Sequence, residues 1–174
     1  MLNFKSIGKE LKKEQPIFWF RIGDFNYLFT GYWGFKTKKV LHFEKGIFTT
    51  LINKFKAIPD KESGYELDIS GKVKPLVAEK IQNFINVLEV PEKAEDVKLT
   101  NLVRIDFDKE TSILKASEGY IYMNRKYMGF IELNESVSTH GSSSMSPVYF
   151  TDDKDEEMAV ILPIRYSTQP EYLK

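Results

Sequence analysis

Residues 158–165 constrain this chain more than any other stretch. They read Met-Ala-Val-Ile-Leu-Pro-Ile-Arg, with Ala159, Val160, Ile161 and Leu162 as an unbroken apolar run and Pro163 directly after it. Such a run predicts a strand that enters a core. Proline lacks a backbone donor and is confined to strand edges, ends and bulges. The ladder should therefore break at Pro163 and the chain surface at Arg165. A second β-rich run, 147–151, precedes it, and the acidic tip 152–157 separates the two. A charged turn between two apolar runs predicts a β-hairpin. The chain must fold around an antiparallel sheet.

Helical periodicity appears in three places. Residues 3–13 put Phe4, Ile7 and Leu11 on one face, with Asn3 as a cap, and Lys5, Lys9, Lys12 and Lys13 opposite. Residues 45–58 carry the strongest pattern. Ile47, Phe48, Leu51, Ile52 and Phe55 form one face, and Thr49, Thr50, Asn53, Lys54 and Lys56 the other, with Pro59 as a stop. Residues 75–90 predict a third helix that starts at Pro75, buries Ile81, Phe84, Ile85 and Leu88, and shows Lys80, Gln82, Asn83 and Asn86.

Strands are expected at 17–22, 25–32, 38–43 and 64–70, then at 99–108, 112–116, 120–123, 127–133, 148–150 and 158–166. Residues 134–147 read as a polar, serine-rich loop, and 169–174 should fray. The charged stretch 91–96 is the best linker, dividing the chain into 1–90 and 91–174. Trp19, Trp33 and the phenylalanines are expected in core and cross-strand packing. The other use of such aromatic strands is a platform on which the bases of a single strand stack.

Composition narrows the function. With 42% hydrophobic residues in 174, the chain is too apolar for disorder and long enough for a real core. Equal numbers of basic and acidic residues, 25 each, argue against a generally basic coat. No cysteine is present, so thiolate chemistry and disulfides are excluded. His42 and His140 have no ligand-like partner at close spacing. The acids at 152–157 lack the glycine and closing glutamate of an EF-hand, and read as a solvated hairpin tip. No phosphate-loop, dinucleotide-binding or nucleophile-elbow pattern occurs. Binding is expected, not catalysis, with no cofactor or metal. No run approaches the roughly 18 apolar residues of a membrane span. Residues 1–14 are lysine-rich without an apolar signal core, so a cytoplasmic location is expected.

Charge is segregated along the chain. The polar faces of the three helices favour Lys, Asn, Gln and Thr, while acids cluster at 106–110 and 152–157. Such faces can meet phosphates, which carry no sequence information. Lys5, Lys9, Lys12, Lys13, Lys54, Lys56 and Lys80 are the candidate DNA contacts.

Val160-Ile161-Leu162-Pro163-Ile164-Arg165, preceded by a short strand and an acidic turn, resembles the closing motif of the bacterial DNA polymerase sliding clamp (β clamp) family. Two further stretches are similar to clamp segments. Residues 103–124 resemble a clamp hairpin, with Ala116-Ser117-Glu118-Gly119 in place of Ala-Thr-Asp-Gly. Residues 43–77 resemble a clamp helix and strand, through Lys56-Ala57-Ile58 and Lys74-Pro75-Leu76-Val77. Together they cover roughly half the chain.

The resemblance implies an α+β fold, with antiparallel sheets and a few amphipathic helices packed on one face. It implies a processivity factor, in compact form such as a phage encodes, that closes as a homo-oligomeric ring around duplex DNA and tethers a polymerase. It also implies a pocket for a partner peptide, formed by Val160, Leu162, Pro163 and Ile164 with Arg165 at its rim. A single-stranded nucleic-acid-binding or recombination accessory protein is the alternative.

Overall fold

In a computed structural model, the structure describes residues 1–41, 44–106 and 109–166. His42 and the terminal stretch 169–174 lie outside them. The first 90 residues supply α1 (Phe4–Leu11), β1 (Ile17–Ile22), β2 (Phe25–Phe29), β3 (Trp33–Thr37), α2 (Lys45–Phe55), β4 (Ser63–Leu67), β5 (Val73–Pro75) and α3 (Ala78–Leu88). The rest supplies β6 (Glu95–Asp96), β7 (Lys98–Asp106), β8 (Lys109–Ala116), β9 (Gly119–Asn124), α4 (Arg125–Met128), β10 (Val137–Gly141), β11 (Val148–Asp152) and β12 (Glu157–Ile161).

The fold is α+β with antiparallel sheets. Nine strands form one sheet in the order β5-β4-β1-β2-β3-β12-β11-β10-β6. Strands from both expected halves meet in it where Val160 on β12 lies opposite Gly34 on β3. The hairpin read from 147–166 is β11–β12, with Tyr149 opposite Val160. A second sheet, β7-β8-β9, carries the hairpin at 103–124.

Successive strand residues point to opposite faces. On β1, Ile17 and Trp19 face one side, where they join Phe4, Ile7 and Leu11 of α1 and Ile47, Leu51 and Phe55 of α2. Phe18 and Phe20 face the other, against Ile81 and Leu88 of α3, with Phe29 and Val160 alongside. Both faces of the central strands are therefore covered. That is why β1 and β12 read as continuous apolar runs, and why the helices divide between the faces, α1 and α2 on one and α3 on the other. The small sheet adds Leu114, Ala116, Ile121 and Met123 to the α1/α2 side, in one core.

Helices α1 and α2 run side by side through a close crossing. A Cβ added at Gly8 would lie 2.4 Å from the Gly46 carbonyl oxygen. Thr50 Oγ1 donates to the Gly8 carbonyl at 3.4 Å, and Lys54 Nζ to the Glu14 carbonyl at 3.4 Å. Asn3 caps α1 by accepting from the Ser6 amide at 3.0 Å. The pattern Phe4, Ile7, Leu11 is buried as expected.

Several boundaries differ from the expected ones. The third strand is Trp33–Thr37, ahead of the expected 38–43, because Trp33 and Phe35 are the residues that alternate into the core while Lys38 and Lys39 are exposed; residues 42 and 43 lie outside the described residues. Pro75 ends the edge strand β5, where a missing donor is tolerated, and the helix begins later at Ala78. Residues 127–133 are not a strand. Asn124 Oδ1 accepts from the Lys126 amide at 3.1 Å and starts α4 instead. The loop 134–147 contains β10. Strand β12 stops at Ile161, ahead of Pro163.

Candidate functional site

The seven candidate lysines fall into two groups. Lys5, Lys9, Lys12 and Lys13 are exposed on the solvent side of α1, and Lys56 is exposed at the end of α2. Lys45, which the sequence reading passed over, joins them on the first turn of α2. Among the described residues none of these six forms an ion pair or side-chain hydrogen bond. Two acids of the α1 segment are already engaged. Glu10 Oε1 takes Lys126 Nζ at 2.7 Å, and the buried Glu14 accepts from the Tyr127 hydroxyl at 3.2 Å. The outcome is a layer of exposed lysines on the two helices with no ion pair among the described residues.

Lys54 and Lys80 belong elsewhere. Lys54 is half-buried between α1 and α2. Burial pulls its ammonium below the ordinary lysine value, and Glu14 partly offsets this. It joins the helices more than it faces solvent. Lys80 sits on α3, across the sheet from the other lysines. There it pairs with Glu66 at 2.7 Å and lies over the Phe18 ring at 4.7 Å. A helix's apolar stripe says that it packs on a sheet, not which face it takes, so the sequence grouped Lys80 with the rest.

The two tryptophans do not offer a stacking surface. Trp19 is 1% exposed and Trp33 3%. Phe20 is stacked on Tyr27 at 4.8 Å beneath α3, and Trp19 packs edge-on against Phe55 of α2 at 5.7 Å.

The expected peptide pocket is divided as well. Val160 is core: it sits mid-ladder, 3% exposed, in the cluster under α3. Alternation cannot be read in a strand covered on both faces, so the sequence could not assign its side. Leu162 is 42% exposed, and its amide donates to the Tyr32 carbonyl at 2.9 Å. Pro163 is half-buried. Ile164 crosses to the small sheet, where its amide donates to the Tyr122 carbonyl at 2.7 Å. Ile164 and Arg165 then line a groove of about 200 Å³ with Tyr120, Tyr122, Met145 and Tyr166. Tyr166 is fixed there by its hydroxyl, 3.0 Å from Thr111 Oγ1, and by the Arg104 guanidinium 4.0 Å above its ring. The tyrosines were missed because they look like ordinary strand residues. Their alternation on β9, Tyr120 and Tyr122, was the available signal.

The acidic hairpin tip is solvated except at Glu157, which is 4% exposed and accepts from the Leu2 amide at 2.9 Å. Asp155 adopts a left-handed turn, φ 53°, and Asp152 Oδ1 accepts from the Glu156 amide at 2.9 Å. Among the described residues no group of acids and histidines is arranged to hold a metal ion. His140 Nδ1 lies 3.2 Å from the Asp96 carboxylate on the neighbouring β6. None of the described helices is long and apolar enough to cross a membrane.

Comparison with known proteins adds one similarity. No family model matches the sequence, and no curated protein matches it. Among solved structures, the chain is similar to a candidate DNA polymerase III beta subunit from Eubacterium rectale ATCC 33656, with a TM-score of 0.37 and 9% identity. The aligned region covers 94% of this chain and 63% of that protein, so this chain spans less than two thirds of its length.

Proposed function

We propose that the protein is a sliding-clamp-like processivity factor, a homo-oligomer that holds duplex DNA against its α1/α2 layer and receives a peptide of a polymerase in the groove at Ile164. The observation that carries the DNA contact is the set of exposed lysines on α1 and α2 that have no ion pair among the described residues. Exposed cations on helices packed on a sheet make phosphate contacts that are strong at low salt and indifferent to sequence. A protein that moves along a duplex needs that combination. The motif resemblance at 160–165 and 103–124 selects a clamp among duplex binders. Burial of Trp19 and Trp33 supports this reading over a single-strand one, which calls for exposed rings.

In this reading Lys5, Lys9, Lys12, Lys13, Lys45 and Lys56 face the phosphates, with Lys54 behind them. Leu162, Ile164 and Arg165 form the partner site, where an apolar anchor beside a charged rim suits a short peptide. The experiment is retention on closed circular DNA. Protein assembled on a nicked plasmid should stay bound through a high-salt wash and leave when the plasmid is linearised. Equal loss from circular and linear DNA would leave a lysine-faced duplex binder and remove the clamp.

A further inference from the structure

Strand β7 is the outer strand of the small sheet, and among the described residues β8 alone pairs with it. An open strand edge presents a row of backbone donors and acceptors, a template for another strand. Native edges are commonly short or guarded by charge. This one runs for nine residues and carries Leu99 at 44% exposure, Leu102 at 42% and Ile105 at 67%. Leu99 lies opposite Leu114, and Ile105 opposite Glu110, so both stand on one face of the sheet at its open rim. On the other face Lys98 lies opposite Lys115, a like-charged pair of the kind that destabilises a ladder.

The sequence of β7 is complementary to itself. Paired antiparallel about Leu102, it sets Leu99 against Ile105, Leu102 against Leu102, and Lys98 against Asp106 of a second copy. Neighbouring registers lose this match. Centring on Asn101 sets Lys98 against Arg104, and centring on Arg104 sets two guanidiniums together. Centring on Val103 sets Leu102 against Arg104 and Ile105 against Asn101. The backbone agrees with the first register. In an antiparallel ladder every second opposed pair exchanges no backbone bond. The Leu102 amide is already engaged, donating to Thr100 Oγ1 at 3.2 Å within the bulge between Leu99 and Val103. Thr100 Oγ1 in turn donates to the Ile113 carbonyl. A residue whose amide is taken suits the two-fold axis, where its side chain makes the contact.

We propose that β7 pairs with β7 of a second copy of this chain, antiparallel about Leu102, joining two three-stranded sheets into one. The apolar rim residues are covered by one another, and Asp106 of each copy faces Lys98 of the other. The same patch serves both subunits, so the contact closes at two copies. It deepens the homo-oligomer of the preceding reading by naming a subunit contact. Its test contains no DNA, so its failure removes this contact and leaves the lysine layer to its own experiment.

The chain has no cysteine, so a single introduced thiol reports the register. Residues opposed without a backbone bond have Cα atoms roughly 4.5 Å apart, within reach of a disulfide. Leu102→Cys should therefore oxidise to a covalent dimer at least tenfold faster than Ile69→Cys, a control 79% exposed in the turn before β5. Leu99→Cys and Ile105→Cys should each cross-link slowly alone and at least tenfold faster when mixed. In sedimentation equilibrium the full chain should dimerise reversibly. Ile105→Lys should weaken that dimer at least tenfold while the melting temperature stays near wild type, because Ile105 is mostly exposed. A wild-type chain that stays monomeric, an association indifferent to Ile105→Lys, or Leu102→Cys cross-linking no faster than Ile69→Cys would each overturn the proposal.

Discussion

Gly8 and Gly46 face each other where α1 crosses α2, yet alanine at the two positions should act in opposite directions. At Gly8 a new Cβ would meet the Gly46 carbonyl oxygen at 2.4 Å and the Ile47 amide nitrogen at 2.9 Å. Both are backbone atoms and cannot rotate away, so the helices must separate. Overpacking of this kind costs roughly 1–3 kcal/mol, and the upper end applies because no side chain can yield. Replacing glycine in a helix returns about 1 kcal/mol of propensity. The net effect of Gly8→Ala is a loss of about 1–2 kcal/mol. For a chain of this length that is a fall in Tm of roughly 2–8 °C. At Gly46 the nearest atoms to a new Cβ are 3.5 Å and 3.7 Å away, ordinary contact distances. Gly46→Ala should therefore stabilise by about 0.4–1 kcal/mol. The assay is thermal and urea unfolding of both variants beside wild type. A gain in stability from Gly8→Ala equal to that from Gly46→Ala would show that the helices do not cross there, and the lysine layer they carry would lose its geometry.

Three further outcomes are expected. Leu51, fully buried, should cost roughly 2–5 kcal/mol on Leu51→Ala, and half-buried Phe48 clearly less on Phe48→Ala, read by urea unfolding. Val160→Ala should lower the melting temperature, whereas Leu162→Ala, 42% exposed, should keep stability and weaken only partner-peptide binding, read by calorimetry beside peptide titration. Burial pushes the Glu157 carboxyl up, but the Leu2 amide, Lys39 and the Met1 ammonium together hold it below its ordinary value. Its ionised form therefore stabilises the fold above the ordinary carboxylate value of about 4.5, and that contribution should fade as pH falls below it, while Glu157→Gln should flatten the acid limb of the stability curve.

Much of this fold was legible in periodicity. Phe4, Ile7 and Leu11 on α1, and Ile47, Leu51 and Phe55 on α2, are buried at the spacing that predicts them. The hairpin at 147–166 followed from a charged tip between apolar runs. What was not legible depended on partners distant in sequence. Strand β10 looks like a loop because only Val137, Thr139 and Gly141 turn inward. Its glycine is there for space: a Cβ at Gly141 would lie 3.1 Å from both Ile121 and Val97. Lys5, Lys9, Lys12, Lys13 and Lys56 are exposed as their polar faces predict, whereas Lys54 is half-buried between the helices and Lys80 and Val160 meet other neighbours than expected. The last two cases turn on which face of a doubly covered sheet a residue meets, which periodicity within one segment cannot report.

The lysine layer is tested most directly by the salt dependence of duplex binding, measured by fluorescence anisotropy over a range of potassium chloride. If each exposed lysine of α1 and α2 displaces one counterion, the plot of log affinity against log salt should have a slope of about −5 for wild type, from roughly 0.9 per phosphate contact. Charge reversal at Lys5, Lys9 and Lys12 should flatten it by about 3 and weaken binding on every sequence alike. A variant with wild-type affinity and an unchanged slope would contradict the assignment, and those lysines would then be no more than a solvated face.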